Sequence, residues 1–402
     1  MSRSSWRTPA VIIACGSLIL ILTSGLRSNS GLFLQPMTMA NGWSRETFSL
    51  AIGLQNVFWG IGGPFFGAAC DKFGAGRTLT IGAILMALGH YGMAHAITGT
   101  ELIGTAGALI GFGISGSGLA IVLSVFARQV DTKYRSLVLG IGSAAGSMGQ
   151  FIMLPLGQAL IDSYGWQQAL TLEALMVMLI IPLSFALAGK PRQRPGVQTE
   201  ESITQAIRAA LSDRSFVLLF CGYFTCGFQA VFIGLHLPSY LVDQGLPASL
   251  GAAAIATVGL FNVIGSLASG WLGGRYSKKY LLAGVYSCRS LVTMAFILLP
   301  LSTFSVYLFS ASIGIFWLST VPLTQGLVGQ RYGLRYMSTL VGIIFLGHQA
   351  GSFLGAWLGG VIFDATGSYD IAWWLIIASG FYAALMHLPI RETPLALKPA
   401  IA

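Results

Sequence analysis

Long apolar runs with almost no charge inside them recur along the whole of this 402-residue chain. Each run is roughly twenty residues or more, the length a helix needs to cross the hydrocarbon core of a bilayer. Only 9% of the residues are charged, and 54% are hydrophobic; soluble domains carry about 25% charged residues. A membrane-spanning β-barrel would read as alternating segments of about ten residues, and that alternation is absent. Helices are therefore expected, because lipid offers no partner to an open backbone. Twelve spans are predicted, near 10–35, 46–69, 78–98, 101–126, 137–161, 168–188, 215–240, 249–273, 280–301, 304–328, 337–362 and 371–389. The expected fold class is an all-α membrane protein.

The formal net charge is +9, which in a soluble chain would point to nucleic acid. Placement matters more here than the sum. If both ends lie in the cytoplasm, all of the 22 lysines and arginines but Arg27, Arg45 and Arg289 fall in cytoplasmic segments. That bias sets the orientation by the positive-inside rule and accounts for the basic excess, so no nucleic-acid partner is expected. The first run is too long for a signal peptide and reads as a retained helix. Five cysteines, all in or at the ends of spans, show neither a disulfide framework nor metal-type spacing.

The chain repeats itself. Gly149, Phe151, Leu156, Gly157, Asp162 and Gly165 recur without gaps as Gly351, Phe353, Leu358, Gly359, Asp364 and Gly367, an offset of 202. Gly67–Phe73 aligns with Gly270–Tyr276, and Gly31–Leu34 with Gly234–Leu237, both at 203. Two parallel repeats with a binding site near the midplane are a known transporter plan. The expected organisation is an N-terminal six-helix bundle (1–189), a polar linker (190–214) with a short amphipathic helix near 202–211, and a C-terminal six-helix bundle (215–402), the two bundles pseudo-symmetric.

The turn between spans 2 and 3 is Gly67-Ala-Ala-Cys-Asp71-Lys72-Phe73-Gly74-Ala75-Gly76-Arg77. In this motif the chain resembles the major facilitator superfamily, whose signature has Gly67, Asp71, Lys72, Gly74 and Arg77 at its fixed positions. A tight glycine turn carrying a carboxylate and two cations can latch neighbouring helix ends, which implies a gating role. Within the superfamily the chain looks most like the monocarboxylate-porter and oxalate/formate-antiporter branch, through a cation in span 1 (Arg27), Gly165-Trp166 and Asn262. That branch often has an arginine four residues after the asparagine, where this chain has Ser266; the nearest substitute is Arg289 in span 9.

Arg27 stands in the first apolar run with no carboxylate beside it. A cation near mid-bilayer costs at least ~2.5–3.5 kcal/mol and marks a functional site by default. Its planar fork can hold a carboxylate bidentately and keeps its charge when buried. The repeat sharpens the candidates, because Arg27 aligns with Ala230, His236 with Phe33, and His348 with Gly146. The resemblance places Arg27, His236 and His348 on cavity-lining spans. Imidazole can titrate near neutral pH and relay a proton. Gln55, Asn56 and Asn262 are hydrogen-bonding groups in apolar helices, and Arg289 is the other cation in lipid. His90, His95 and His387 fall on spans 3 and 12, which the resemblance puts at the periphery. Of 13 acidic residues only Glu173 enters a span, one turn into peripheral span 6.

A small organic anion, such as a monocarboxylate, is therefore the expected substrate of a secondary transporter working by alternating access, with proton symport a plausible coupling. An efflux pump for amphipathic compounds on the same fold is the alternative, although a pump for cations would want a buried cavity carboxylate. No nucleophile–base or metal-ligand cluster suggests an enzyme, and no cofactor is expected. The setting expected is a plasma membrane, by composition a bacterial inner membrane, with the protein a monomer in the bilayer.

Overall fold

The apolar runs become helices whose ends are set by small polar residues and by glycine. The computed structural model describes residues 7–129, 132–188, 203–333 and 337–395. The long helices are α1 (Pro9–Asn41), α2 (Arg45–Phe73), α3 (Ala75–His95), α4 (Gly99–Phe126), α5 (Thr132–Tyr164), α6 (Trp166–Ser184), α7 (Arg214–Asp243), α8 (Ala248–Gly273), α9 (Lys278–Leu298), α10 (Thr303–Tyr332), α11 (Met337–Thr366) and α12 (Asp370–His387). All but α2 and α3 contain a stretch long and apolar enough to cross a membrane. Those two stand where spans 2 and 3 are expected, with Gln55, Asn56, His90 and several glycines lowering their hydropathy. No strand occurs among the described residues. The part of the expected linker up to residue 202 lies outside them; beyond it a short helix, Ile203–Ser212, forms as the amphipathic pattern predicts.

Local chemistry explains the boundaries. Thr8 and Ser44 cap α1 and α2 by accepting from Val11 N and Thr47 N at 3.3 and 3.1 Å, satisfying donors a helix start leaves free. The turns before α6 and α12 use Gly165 and Gly367, with φ of 79° and 70°. These are repeat partners, and both occupy the left-handed region that side chains avoid.

Four helices are irregular; α6 is interrupted at Leu179, whose N–H reaches Met176 O at 3.1 Å. α1 breaks at Asn29, whose N–H reaches back only to Leu26 O (3.2 Å). α4 contains a π-helical stretch, Ile103–Leu109, a form that occurs often at functional sites. α10 is interrupted between Phe316 and Thr320.

Packing divides the chain into two compact units. The first comprises Met1–Arg192, Val231–Leu260 and Phe353–Tyr369, and the second Gln193–Ala230, Phe261–Ser352 and Asp370–Ala402. This division crosses the six-helix division read from the repeat, because the ends of α7 and α11 meet α1 and α2. In the first unit Gly31 of α1 lies against its own repeat partner, since a Cβ on it would be 2.6 Å from Gly234 O. The first core is built around Ile19, Leu20, Leu34, Phe48 and Phe126, the second around Phe216, Leu219, Tyr286, Leu327 and Ile344.

The repeat is visible as packing inside each unit. A Cβ on Gly149 would overlap the carbonyl oxygen of Ile21, and one on Gly351 that of Phe224. Ile21 and Phe224 are themselves related by the 203-residue offset. The same glycine of the repeat thus lets α5 lie against α1 and α11 against α7.

Candidate functional site

The break in α1 leaves Arg27 half-buried at the end of its first part. Its Nη2 donates to Asn56 Oδ1 at 3.0 Å, and its guanidinium lies 4.5 Å from the ring centroid of Trp59. Asn56 is itself oriented by donating Nδ2 to Ile52 O (2.9 Å). Gln55, next to it on α2, donates to Ala106 O of the π-helical stretch at 2.7 Å. Among the described residues, no carboxylate forms an ion pair with Arg27. A guanidinium has five donors in a planar fork, so this arrangement is an oriented cation suited to a carboxylate.

His236 on α7 is fully buried and fully tied. Its Nε2 is 2.8 Å from Ala356 O and its Nδ1 3.2 Å from Tyr369 Oη. A carbonyl only accepts, so Nε2 carries the proton and Nδ1 accepts from the tyrosine. Burial pushes the Tyr369 phenol up to about 12, although Arg45 pulls the other way, so it remains a donor at neutral pH. Gly359 makes the room, since a Cβ there would strike the imidazole. Tyr369 also accepts from Arg45 Nη1 (2.9 Å), which holds Asp243 through both guanidinium nitrogens at 2.6 and 2.7 Å.

In the second unit His348, Arg289 and Cys226 form one buried group. His348 Nδ1 lies 3.0 Å from Gln349 Oε1 and 3.3 Å from Ser352 Oγ, with Tyr223 and Phe345 around the ring. Arg289 is 1% exposed and points at Cys226 Sγ, 3.6 Å from Nη1. Its Nε and Nη2 have no hydrogen-bond partner among the described residues. Asn262 Oδ1 accepts from Leu318 N at 3.0 Å, satisfying a backbone donor exposed by the break in α10.

The turn motif folds as its glycines require. Gly74 has φ 93°; its N–H closes α2 on Cys70 O (2.9 Å) and its carbonyl takes the Thr78 N–H and hydroxyl. Lys72 and Arg77 are exposed, and Gly67 leaves open space. The Asp71 side chain lies outside the described residues.

A polar cluster in the first unit brings together Glu173 and His90, both expected at the periphery, and Asn29. Glu173 of α6, 1% exposed, accepts from Asn29 Nδ2 at 2.5 Å, and its Oε2 lies 3.7 Å from His90 Nε2 of α3. The available signal was Glu173 itself, the one acidic residue inside an apolar span. Its partners are remote in sequence, and Asn29 stands two residues from Arg27.

Known proteins give the same outline. The family profile of the Major Facilitator Superfamily matches residues 13–356. An uncharacterised MFS-type transporter of Bacillus subtilis is 24% identical over 91% of this chain and 91% of its own. Monocarboxylate transporter 13 of Rattus norvegicus is 24% identical over 84% of this chain and 79% of its own, and the cis,cis-muconate transport protein of Acinetobacter baylyi 26% over 56% of each. A crystal structure of a D-xylose–proton symporter superposes with a TM-score of 0.74 at 14% identity, covering 96% of this chain and 99% of its own. The nucleoside transporter NupG does so with 0.76 at 12% identity, covering 94% and 99%.

Proposed function

Since this chain belongs to the Major Facilitator Superfamily, we propose that it is a secondary active transporter of a small organic anion, in the first instance a monocarboxylate. The observation that carries the reading is Arg27: a half-buried cation at a helix break, oriented by Asn56 and Trp59 and ion-paired to no described carboxylate. The names of the relatives agree in kind, being monocarboxylate transporters and a muconate carrier.

In this reading Arg27 receives the substrate carboxylate and Asn56 holds the fork in register. Gln55 and Asn262 keep the irregular stretches of α4 and α10 in place. Arg289 and His348 form a buried polar group of their own within the second unit, and His236 reports the state of the Arg45 network. The halves 1–189 and 215–402, joined by 190–214, rock as bodies, and the turn from Gly67 to Arg77 latches one end. The charge bias supports a plasma membrane with both termini cytoplasmic. Transport is coupled to protons, and the protein works as a monomer.

The test is uptake of labelled pyruvate, lactate and benzoate by proteoliposomes. Removing one partner of a desolvated charge pair costs about 2–5 kcal/mol. Arg27→Ala is therefore expected to lower kcat/KM by about thirtyfold or more. Arg27→Lys keeps the charge but loses the fork, and should fall between. Uptake by Arg27→Ala as fast as by the parent would overturn the role of Arg27.

A further inference from the structure

Glu173 of α6, His90 of α3 and Asn29 of α1 meet in the interior of the first unit. The ring nitrogen Nδ1 of His90 lies 2.8 Å from Met86 O. A carbonyl cannot donate, so that nitrogen carries the hydrogen. Nε2, the nitrogen facing Glu173, is then bare in the neutral ring. Opposite it, Glu173 Oε2 has no hydrogen-bond partner among the described residues, whereas Oε1 is held by Asn29. The arrangement is complete when a single proton lies between Oε2 and Nε2. Without it, a carboxylate would be buried facing a lone pair, which an apolar interior strongly disfavours. A purely mechanical tie between α1, α3 and α6 would need no ionisable group.

Nothing else charged faces the pair among the described residues. α3 brings His90; its Arg77, Tyr91 and His95 are exposed. α1 brings Asn29; its Arg27 turns to Asn56, and Cys15 lies near its other end. The titratable groups of α5 with described side chains, Asp162 and Tyr164, are exposed. The last part of α6, Ile180–Ser184, carries none, and Glu101 of α4, which packs against α3, is exposed.

Asn29 joins this pair to the anion site. It forms the break of α1 two residues after Arg27, and it is wedged against Gly157 of α5, where a Cβ would strike its amide. One side of the break thus faces α2 through Arg27, and the other faces α6 through Asn29. We propose that the Glu173–His90 pair is the proton-binding site coupled to transport, with the α1 break at Asn29 transmitting its state to Arg27. This rests on the anion reading above and supplies its coupling. With the pair empty of its proton, the Glu173 carboxylate and the Arg27 cation balance. Binding a carboxylate at Arg27 and a proton at the pair adds one negative and one positive charge, so the sum is unchanged. On release the proton leaves Oε2 or Nε2 for water and restores the carboxylate. Anion and proton therefore move together, one for one.

The experiment uses proteoliposomes of the full chain loaded with pyruvate, lactate or benzoate. At one proton per anion, a pH gradient of about one unit supports up to about tenfold accumulation. Glu173→Gln is expected to abolish accumulation and substrate-driven proton uptake, read with an internal pH dye, while exchange of labelled for unlabelled anion stays within about twofold of the parent. Glu173→Asp should restore accumulation with a shifted pH profile, and His90→Gln should shift that profile too. Accumulation by Glu173→Gln equal to the parent's would overturn the proposal, and so would loss of exchange in parallel with accumulation in both Glu173 variants. A second arm needs no substrate: a carboxylic-acid carbonyl band in pH-difference infrared spectra, present in the parent and missing from Glu173→Gln. Its absence in the parent sinks the proton site. Its presence in a parent that carries none of the anions sinks the anion reading alone.

Discussion

A buried or half-buried charge is informative in proportion to what stands beside it. Arg27 and Arg289 are both cations in apolar helices, yet their surroundings differ. Arg27 is oriented by Asn56 and Trp59, whereas Arg289 meets a thiol and two rings. Asp213 shows the ordinary resolution of such a charge. Burial would raise its carboxyl, but the Arg331 and Tyr332 hydrogen bonds outweigh it and hold the group below the usual carboxylate range. Its stabilisation is therefore present above the unfolded value, about 3.9, and is lost as pH falls through the lower folded value. Asp213→Asn should lower the thermal midpoint at pH 7, and the gap to the parent should close on acidification. A constant gap down to about pH 3 would contradict this. Arg27 was legible in the sequence because a lone cation in an apolar run has no local explanation. The Glu173 site was not, because its three side chains are brought together from positions 29, 90 and 173.

At the scale of the element, glycine decides how closely helices approach. Gly149 of α5 and Gly351 of α11 each seat a backbone carbonyl of the facing helix, Ile21 and Phe224. Backbone cannot turn aside as a long side chain can. Gly149→Ala and Gly351→Ala should therefore each cost about 1–3 kcal/mol, the usual range for overpacking, and lower the thermal midpoint in detergent. Gly63→Ala and Gly284→Ala, where a Cβ meets open space, are the controls and should leave it nearly unchanged. The periodic return of these glycines was readable as repetition. Their partners were not, because an offset between two copies says nothing about which helix each copy touches. The break of α1 at Asn29 is set beside Glu173 and Gly157, contacts that the local sequence does not reveal.

Across the whole molecule, Arg45 joins three distant parts of the chain within the first unit. Its side chain holds Asp243 and Tyr369, and its guanidinium stacks 3.7 Å from Phe363. Asp364, a repeat-conserved residue, accepts from the backbone N–H of Arg45 and Glu46 at 3.1 and 2.6 Å. It therefore caps α2 from the end of α11. Burial would lower the Arg45 guanidinium, but the bonds to Asp243 and Tyr369 outweigh it and leave it raised. Asp364→Asn weakens the cap, and caps are worth about 1 kcal/mol. It should speed hydrogen exchange in the first turn of α2 while leaving α9 unaffected, and equal exchange in that turn would argue against the cap.

The amino-acid order alone determined that this chain lies in a membrane as helices, that it is two copies of one pattern, and that a cation stands in the first helix. Each of these follows from local composition, spacing or self-similarity, which need no knowledge of neighbours. Only the tertiary structure decided which polar groups are paired, that Asp243 and Asp364 converge on Arg45, and that Glu173 faces His90 beside the broken helix. These depend on contacts between residues far apart in the chain, where the energy of a buried charge is set by its partners rather than by its own type.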